Sequence, residues 1–192
     1  EVQPGSHTTA SRLLGLSNLP YRTLISWDGS YNDVYLVDAE TGERRLVVEQ
    51  VRGRASLSPE ERWVTWWDGV ERAWFSLDAQ SGTVTNISEA IPHPVHNELD
   101  DSPAPPGSYG MAGWTDGDRD VLLYDAHDVW LVDPAGQRAP RNLTEGVGRE
   151  QDLRFRVVRP GADEDRTIPM DEPVLLSAFH VETKADGFYR DR

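Results

Sequence analysis

The 192-residue chain has no cysteine, which excludes disulfides, thiolate metal sites and a cysteine nucleophile. No apolar run comes near the ~20 residues that cross a bilayer, and Leu13-Leu14-Gly15-Leu16 is too short for the core of a secretory signal. Basic residues are few, 19 against 33 acidic ones, for a formal net charge of −14. Such a chain repels phosphate backbones and anionic lipid, so neither nucleic acid nor a membrane is expected as a partner. Also missing are a Gly-x-Ser-x-Gly elbow, a His-Glu-x-x-His pair and a phosphate-cradling glycine loop. His7, His127 and His180 each lack a neighbouring nucleophile with a sequence signature. No catalytic residue and no cofactor is expected in this chain.

What is present is a series of short apolar runs punctuated by 13 Pro and 16 Gly. Between Trp114 and Asp133, Val121 to Tyr124 and Val129 to Val132 are β-branched and aromatic, bracketed by Asp and Gly, and too short for amphipathic helices. They read as an antiparallel hairpin. Its register recurs upstream, since Leu57 to Asp68 superposes on Trp114 to Asp125 at a constant offset of 57. A second alignment at an offset of 40 pairs Trp27-Asp28-Gly29 with Trp67-Asp68-Gly69, Asp38 with Asp78, and Gly42 with Gly82.

Three strand endings align as Val34-Tyr35-Leu36-Val37-Asp38, Trp74-Phe75-Ser76-Leu77-Asp78 and Val129-Trp130-Leu131-Val132-Asp133. Each is followed by a glycine suited to the positive-φ position of a turn. Repeats of about this length with several short strands each are the signature of β-propeller blades. Strands that are apolar on both faces agree, because each blade is packed between its neighbours. The expected fold is all-β, a β-propeller arc of about three to four blades of four-stranded antiparallel sheets. The whole chain, 1–192, is read as one such propeller fragment.

Blade-like units are expected at about 21–51, 54–91, 109–144 and 153–192, with an inserted loop at 92–107. Residues 1–20 read as an irregular or half-blade lead-in, and the first unit as opening with a strand that ends at Trp27. An open arc exposes the outer faces of its terminal blades. Trp27, Tyr35 and Val37 at one end, and Phe179 and Phe188 at the other, are the candidates for that surface.

Two segments invite a metal reading. Asp116-Gly117-Asp118-Arg119-Asp120 opens like a calcium loop, but Val121 and His127 stand where such a loop needs Gly and Glu, and the repeat places the segment in an interstrand turn. His93, His96, Glu98, Asp100 and Asp101 share the long loop, yet their spacing matches no zinc motif. No metal site is expected. The three carboxylates of that loop, Glu98, Asp100 and Asp101, are the candidate substrate-binding residues, suited to a peptide ammonium group, and costly to bury unpaired. Asn86-Ile87-Ser88 and Asn142-Leu143-Thr144 are glycosylation sequons placed at outer-strand ends.

From Asn97 onward the residues resemble a known family. Asn97-Glu98-Leu99-Asp100-Asp101-Ser102-Pro103, Tyr109-Gly110-Met111-Ala112-Gly113-Trp114-Thr115, Asp128-Val129-Trp130, Asn142-Leu143-Thr144, Leu176-Ser177-Ala178-Phe179 and Gly187-Phe188-Tyr189-Arg190 are similar to the N-terminal β-propeller of bacterial prolyl oligopeptidase-type serine peptidases. That resemblance implies a C-terminal α/β-hydrolase domain in the parent chain as partner, peptides as substrates, and a gating or docking role for the propeller. The family's catalytic residues lie in the hydrolase domain and have no counterpart here. The alternative is a TolB-like propeller binding module without a hydrolase partner, since the Ser-Pro turn and the Asp-x-x-x-Gly hairpin are shared by many propellers.

Overall fold

In a computed structural model, residues 2–4, 10–159 and 167–191 are described. They form fifteen strands in four antiparallel sheets. The first sheet runs β1 (Val2–Pro4), β2 (Arg12–Ser17), β3 (Tyr31–Asp38), β4 (Arg44–Arg52). The second is β5 (Ala55–Leu57), β6 (Trp63–Asp68), β7 (Ala73–Asp78), β8 (Val84–Asn86), and the third β9 (Met111–Trp114), β10 (Val121–Tyr124), β11 (Val129–Val132), β12 (Arg141–Asn142). A one-turn helix, α1 (Val147–Glu150), precedes the fourth sheet of β13 (Leu153–Val157), β14 (Leu175–His180) and β15 (Asp186–Arg190). In every sheet the strands pair in chain order, the meander of a propeller blade.

Packing explains why the central strands do not alternate apolar with polar residues. Along β10 all four residues are buried, but Val121 and Leu123 join a cluster with Trp63, Trp74 and Ile87 of the second sheet. Leu122 and Tyr124 instead join one with Phe155, Val174 and Leu176 of the fourth. β11 divides in the same way, with Trp130 and Val132 on one side and Val129 and Leu131 on the other. Side chains of a strand point alternately to its two faces, and here each face meets another sheet. A third cluster, including Leu14, Val34, Leu36, Val64, Trp66 and Leu77, joins the first and second sheets.

The repeats are structural equivalences down to single hydrogen bonds. Asp38 and Asp78 accept N–H bonds from Thr41 (2.7 Å) and Ser81 (2.9 Å), and Gly42, Gly82 and Gly136 all have φ near 70°. Both sequons are turns that close an outer strand. Asn86 Oδ1 accepts from Ser88 N–H at 3.1 Å and Asn142 Oδ1 from Thr144 N–H at 3.0 Å, while the buried middle residues, Ile87 and Leu143, fill the core.

Three sequence expectations need correction. No strand ends at Trp27: residues 19–28 form a 3-10 turn and successive hydrogen-bonded turns, and the second strand of that sheet is β2, paired from Arg12↔Asp38 to Ser17↔Asp33. Strands β1 and β2 also show that the lead-in before Tyr21 belongs to the first sheet. The 40-residue alignment holds from Asp38 onward but not at Trp27, because the β2–β3 connection spans 18–30 where β6–β7 needs only 69–72. Among the described residues the fourth sheet has three strands.

Candidate functional site

Meander topology sends the connections of each sheet to two opposite ends. At one end lie the first-to-second and third-to-fourth strand turns. Ser58 and Thr115 begin equivalent turns there: Ser58 N–H donates to Trp63 O (2.8 Å) and Thr115 N–H to Asp120 O (2.9 Å). Each hydroxyl accepts an N–H in return, Ser58 from Trp63 at 2.9 Å and Thr115 from Asp120 at 2.9 Å. The calcium-like segment is thus the turn that the repeat implies. Its Asp118 is 2% exposed, receives the Ser58 hydroxyl hydrogen bond and accepts Glu60 N–H at 3.1 Å. Burial pushes the Asp118 carboxyl up, with the Ser58 and Glu60 hydrogen bonds opposing it.

A cleft of about 580 Å³ opens at this end, lined by Thr115, Asp120, Asp133, Arg138, Arg141 and Met170 among others. Its central cation is spent on the protein itself. Arg138 bonds Asp120 at 2.7 Å, Asp133 at 3.3 Å and Arg119 O at 2.9 Å. Burial alone raises the Asp133 carboxyl, but the Ala135 N–H and the Arg138 guanidinium outweigh it and hold Asp133 below the usual carboxylate range. Buried acids of the opposite end, on the 125–128 connection, are likewise engaged. Asp128 accepts the Thr144 hydroxyl (2.6 Å) and Gly148 N–H (3.0 Å), and Asp125 accepts the Trp130 indole N–H at 3.1 Å with Arg149 at 3.4 Å.

What sets the opposite end apart is its exposed side chains. It carries the 18–30, 69–72, 87–110 and 125–128 connections. Five of the large exposed apolar side chains lie there: Leu19 (63%), Ile25 (51%), Trp27 (80%), Val70 (72%) and Leu99 (82%). Glu98, Asp100 and Asp101 are exposed on the same loop as Leu99. The Ser102 hydroxyl and N–H hold the Asp100 carboxyl below its ordinary value.

That loop has a fixed base. Val95 and Ile91 are buried in the core between sheets two and three. Asn97 N–H donates to Gly107 O at 2.7 Å, Tyr109 N–H to Val95 O at 2.9 Å, and the Trp67 indole to Pro106 O at 3.0 Å. The His93 ring lies against Trp130, ring centroids 6.2 Å apart. Among the described residues no three His, Asp or Glu side chains gather as metal ligands.

Of the residues expected at an open-arc surface, Trp27 and Phe188 (76%) are exposed, while Tyr35, Val37 and Phe179 are half-buried. Trp27 stands on a connection, not on the face of the first sheet. The apolar company of Glu98, Asp100 and Asp101 was not read from the sequence. The signal was there, since Val70 and Leu99 interrupt otherwise polar turns.

No family model matches the sequence, and no curated protein matches it. Solved structures similar to the chain include TolB from Acinetobacter baumannii, 12% identical with a TM-score of 0.47, covering 100% of this chain and 44% of that one. A putative TolB from Agrobacterium tumefaciens is 13% identical with a TM-score of 0.46, covering 95% of this chain and 64% of that one. The tricorn protease is 12% identical with a TM-score of 0.29, covering 95% of this chain and 16% of that one. The class the sheets define, successive antiparallel meanders packed face to face, is the β-propeller. The chain spans less than two thirds of the length of each.

Proposed function

We propose that this chain is a non-catalytic β-propeller binding module of the TolB-like kind. It holds a partner segment of mixed cationic and apolar character at the end carrying Trp27, Val70, Leu99, Glu98, Asp100 and Asp101. The observation that carries this reading is that Glu98, Asp100 and Asp101 are exposed beside exposed Leu99, at the end where Trp27 and Val70 are exposed too, whereas the cleft acids of the first end, Asp120 and Asp133, are bonded to Arg138. Exposed apolar side chains rimmed by charge mark interaction surfaces, and the three carboxylates select for positive charge.

The test is a titration of the chain with a short acetylated Lys- and Leu-containing peptide, followed by tryptophan emission and calorimetry. Saturable binding that falls at least about tenfold in the Glu98→Gln, Asp100→Asn, Asp101→Asn triple variant is the expected result. Equal affinity of wild type and triple variant, or no binding at millimolar peptide, overturns it.

The exposed carboxylates also favour a second reading, in which the module docks or gates peptides for a hydrolase domain of a prolyl oligopeptidase-like parent. There the same three substitutions in the full-length enzyme raise KM for free-amine peptides more than for blocked ones. Equal effects on both remove this reading.

A further inference from the structure

The loop that carries Glu98, Asp100 and Asp101 is pinched at its neck. Asn97 N–H donates to Gly107 O at 2.7 Å, and His96 forms an antiparallel bridge with Ser108 beside it. The outgoing limb is held by Tyr109, whose hydroxyl accepts Glu98 N–H at 3.1 Å. Its turn is closed from within: Asn97 Oδ1 accepts Leu99 N–H at 3.2 Å, and Asp100 Oδ1 accepts Ser102 N–H at 3.0 Å.

The return limb, 103–106, is attached by other means. Pro103, Pro105 and Pro106 have no N–H to donate, so at these residues any backbone hydrogen bond to the body must be accepted by a carbonyl. The donor is the Trp67 indole, 3.0 Å from Pro106 O. Next to it Gly69 is buried, although it shares a turn with Val70, which is 72% exposed. The same limb covers it. A Cβ on Gly69 would stand 3.0 Å from Pro105 Cβ and 3.1 Å from Pro106 O, and Gly69 is not among the glycines at positive φ, so this close approach is what calls for a glycine. A residue that precedes proline is kept out of the helical region, which stiffens Ser102, Ala104 and Pro105. Anchoring Pro106 therefore constrains the run back to Asp100 and Asp101.

We propose that Trp67 and Gly69 are positioning residues of the binding end. They seat the Pro105-Pro106 limb on the second sheet and so hold Glu98, Asp100 and Asp101 in place before a partner arrives, an inference that rests on the binding reading given above. A loop fixed in advance loses less freedom on binding than a mobile one. The seat thus adds affinity through the loop rather than through a contact of its own.

Two variants test this: Trp67→Phe keeps a ring and removes the indole N–H, and Gly69→Ala places a Cβ against Pro105 and Pro106. Amide hydrogen exchange of the free chain is read at Asn97 and Glu98, the bonded N–H groups of the neck and outgoing limb, against the buried amides of β10. In both variants exchange at Asn97 and Glu98 is expected to accelerate at least about tenfold more than at β10, a ratio that removes any change in global stability. Calorimetry with the acetylated Lys- and Leu-containing peptide is expected to give an affinity at least about threefold lower in each variant. In the Glu98→Gln, Asp100→Asn, Asp101→Asn background the same two changes should alter affinity by less than about twofold, because the seat acts through those carboxylates. Exchange at Asn97 and Glu98 that only keeps pace with β10 overturns the proposal whether or not the peptide binds, so failure of the seat is told apart from failure of the binding reading, which the wild-type affinity decides. A loosened loop with unchanged affinity, or an equal loss in the two backgrounds, overturns it as well.

Discussion

Glu61 and Asp118 occupy the same position in successive sheets, at φ 59° and 53°, and both carboxylates reach back to the sheet before. Glu61 accepts the Ser11 hydroxyl at 2.6 Å, Ser11 N–H at 3.1 Å and Arg12 N–H at 3.0 Å. Asp118 accepts the Ser58 hydroxyl and Glu60 N–H. The second and third sheets are thus each tied to their predecessor by a side chain as well as by apolar packing. Glu61→Ala leaves the Ser11 and Arg12 donors without their acceptor, and a loss of about 2–3 kcal/mol is expected in urea unfolding.

Asp118→Asn is expected to behave differently. Burial raises the Asp118 carboxyl, so the folded state holds its proton more tightly than the unfolded chain does. Its contribution is largest at low pH and is lost as pH rises from the unfolded value through the higher folded one. Asparagine keeps an oxygen for the Ser58 hydroxyl and Glu60 N–H without the charge. At pH 7 this variant is expected within about 0.5 kcal/mol of wild type or slightly above it, while Asp118→Ala loses about 1–3 kcal/mol. Paired denaturant melts of the two variants decide it.

Acid stability is governed by carboxylates shifted the other way. Asp133 is held low against burial by the Ala135 N–H and by Arg138, and Asp78 against burial by the Ser81 and Gln80 N–H groups and by Arg62. Their stabilisation is present above the ordinary aspartate value and disappears as pH falls through the lower folded one. The melting temperature should therefore drop below about pH 4. Asp133→Asn should flatten that limb and Asp118→Asn should steepen it, both readable from thermal scans between pH 2 and pH 7.

Gly148 is the tightest glycine contact against fixed groups. A Cβ there meets Asp128 Oδ1 at 2.7 Å and His127 O at 2.9 Å, and the Asp128 carboxylate also holds Thr144. Gly148→Ala is expected to cost about 1–3 kcal/mol in urea unfolding.

The strands of the second and third sheets were legible because their apolar runs are short, bracketed by Asp and Gly, and repeated in register. The 57-residue offset aligns Ser58 with Thr115 and Glu61 with Asp118. What it could not show was direction. A carboxylate in a turn reads as solvent-facing, and only the positive φ of Asp118 aims it at the preceding sheet. The first sheet was read one strand short because the 18–30 connection separates β2 from β3, and Trp27-Asp28-Gly29 within it imitates the end of β6. Exposure of Glu98, Asp100 and Asp101 followed from charge alone, whereas the exposed Trp27 and Val70 stand on connections far apart in sequence that only the meander sends to the same end.

The backward reach of Glu61 and Asp118 also has a bearing on synthesis, because a ribosome delivers the chain from its amino end. When the first sheet emerges, Ser11 and Arg12 have no carboxylate to bond until residue 61 has followed, and Ser58 waits in turn for residue 118. The first and second sheets are thus each completed by a residue made later than themselves. A nascent chain halted between these two positions should hold its first sheet latched and its second still accessible to protease, and one halted past Asp118 should protect both.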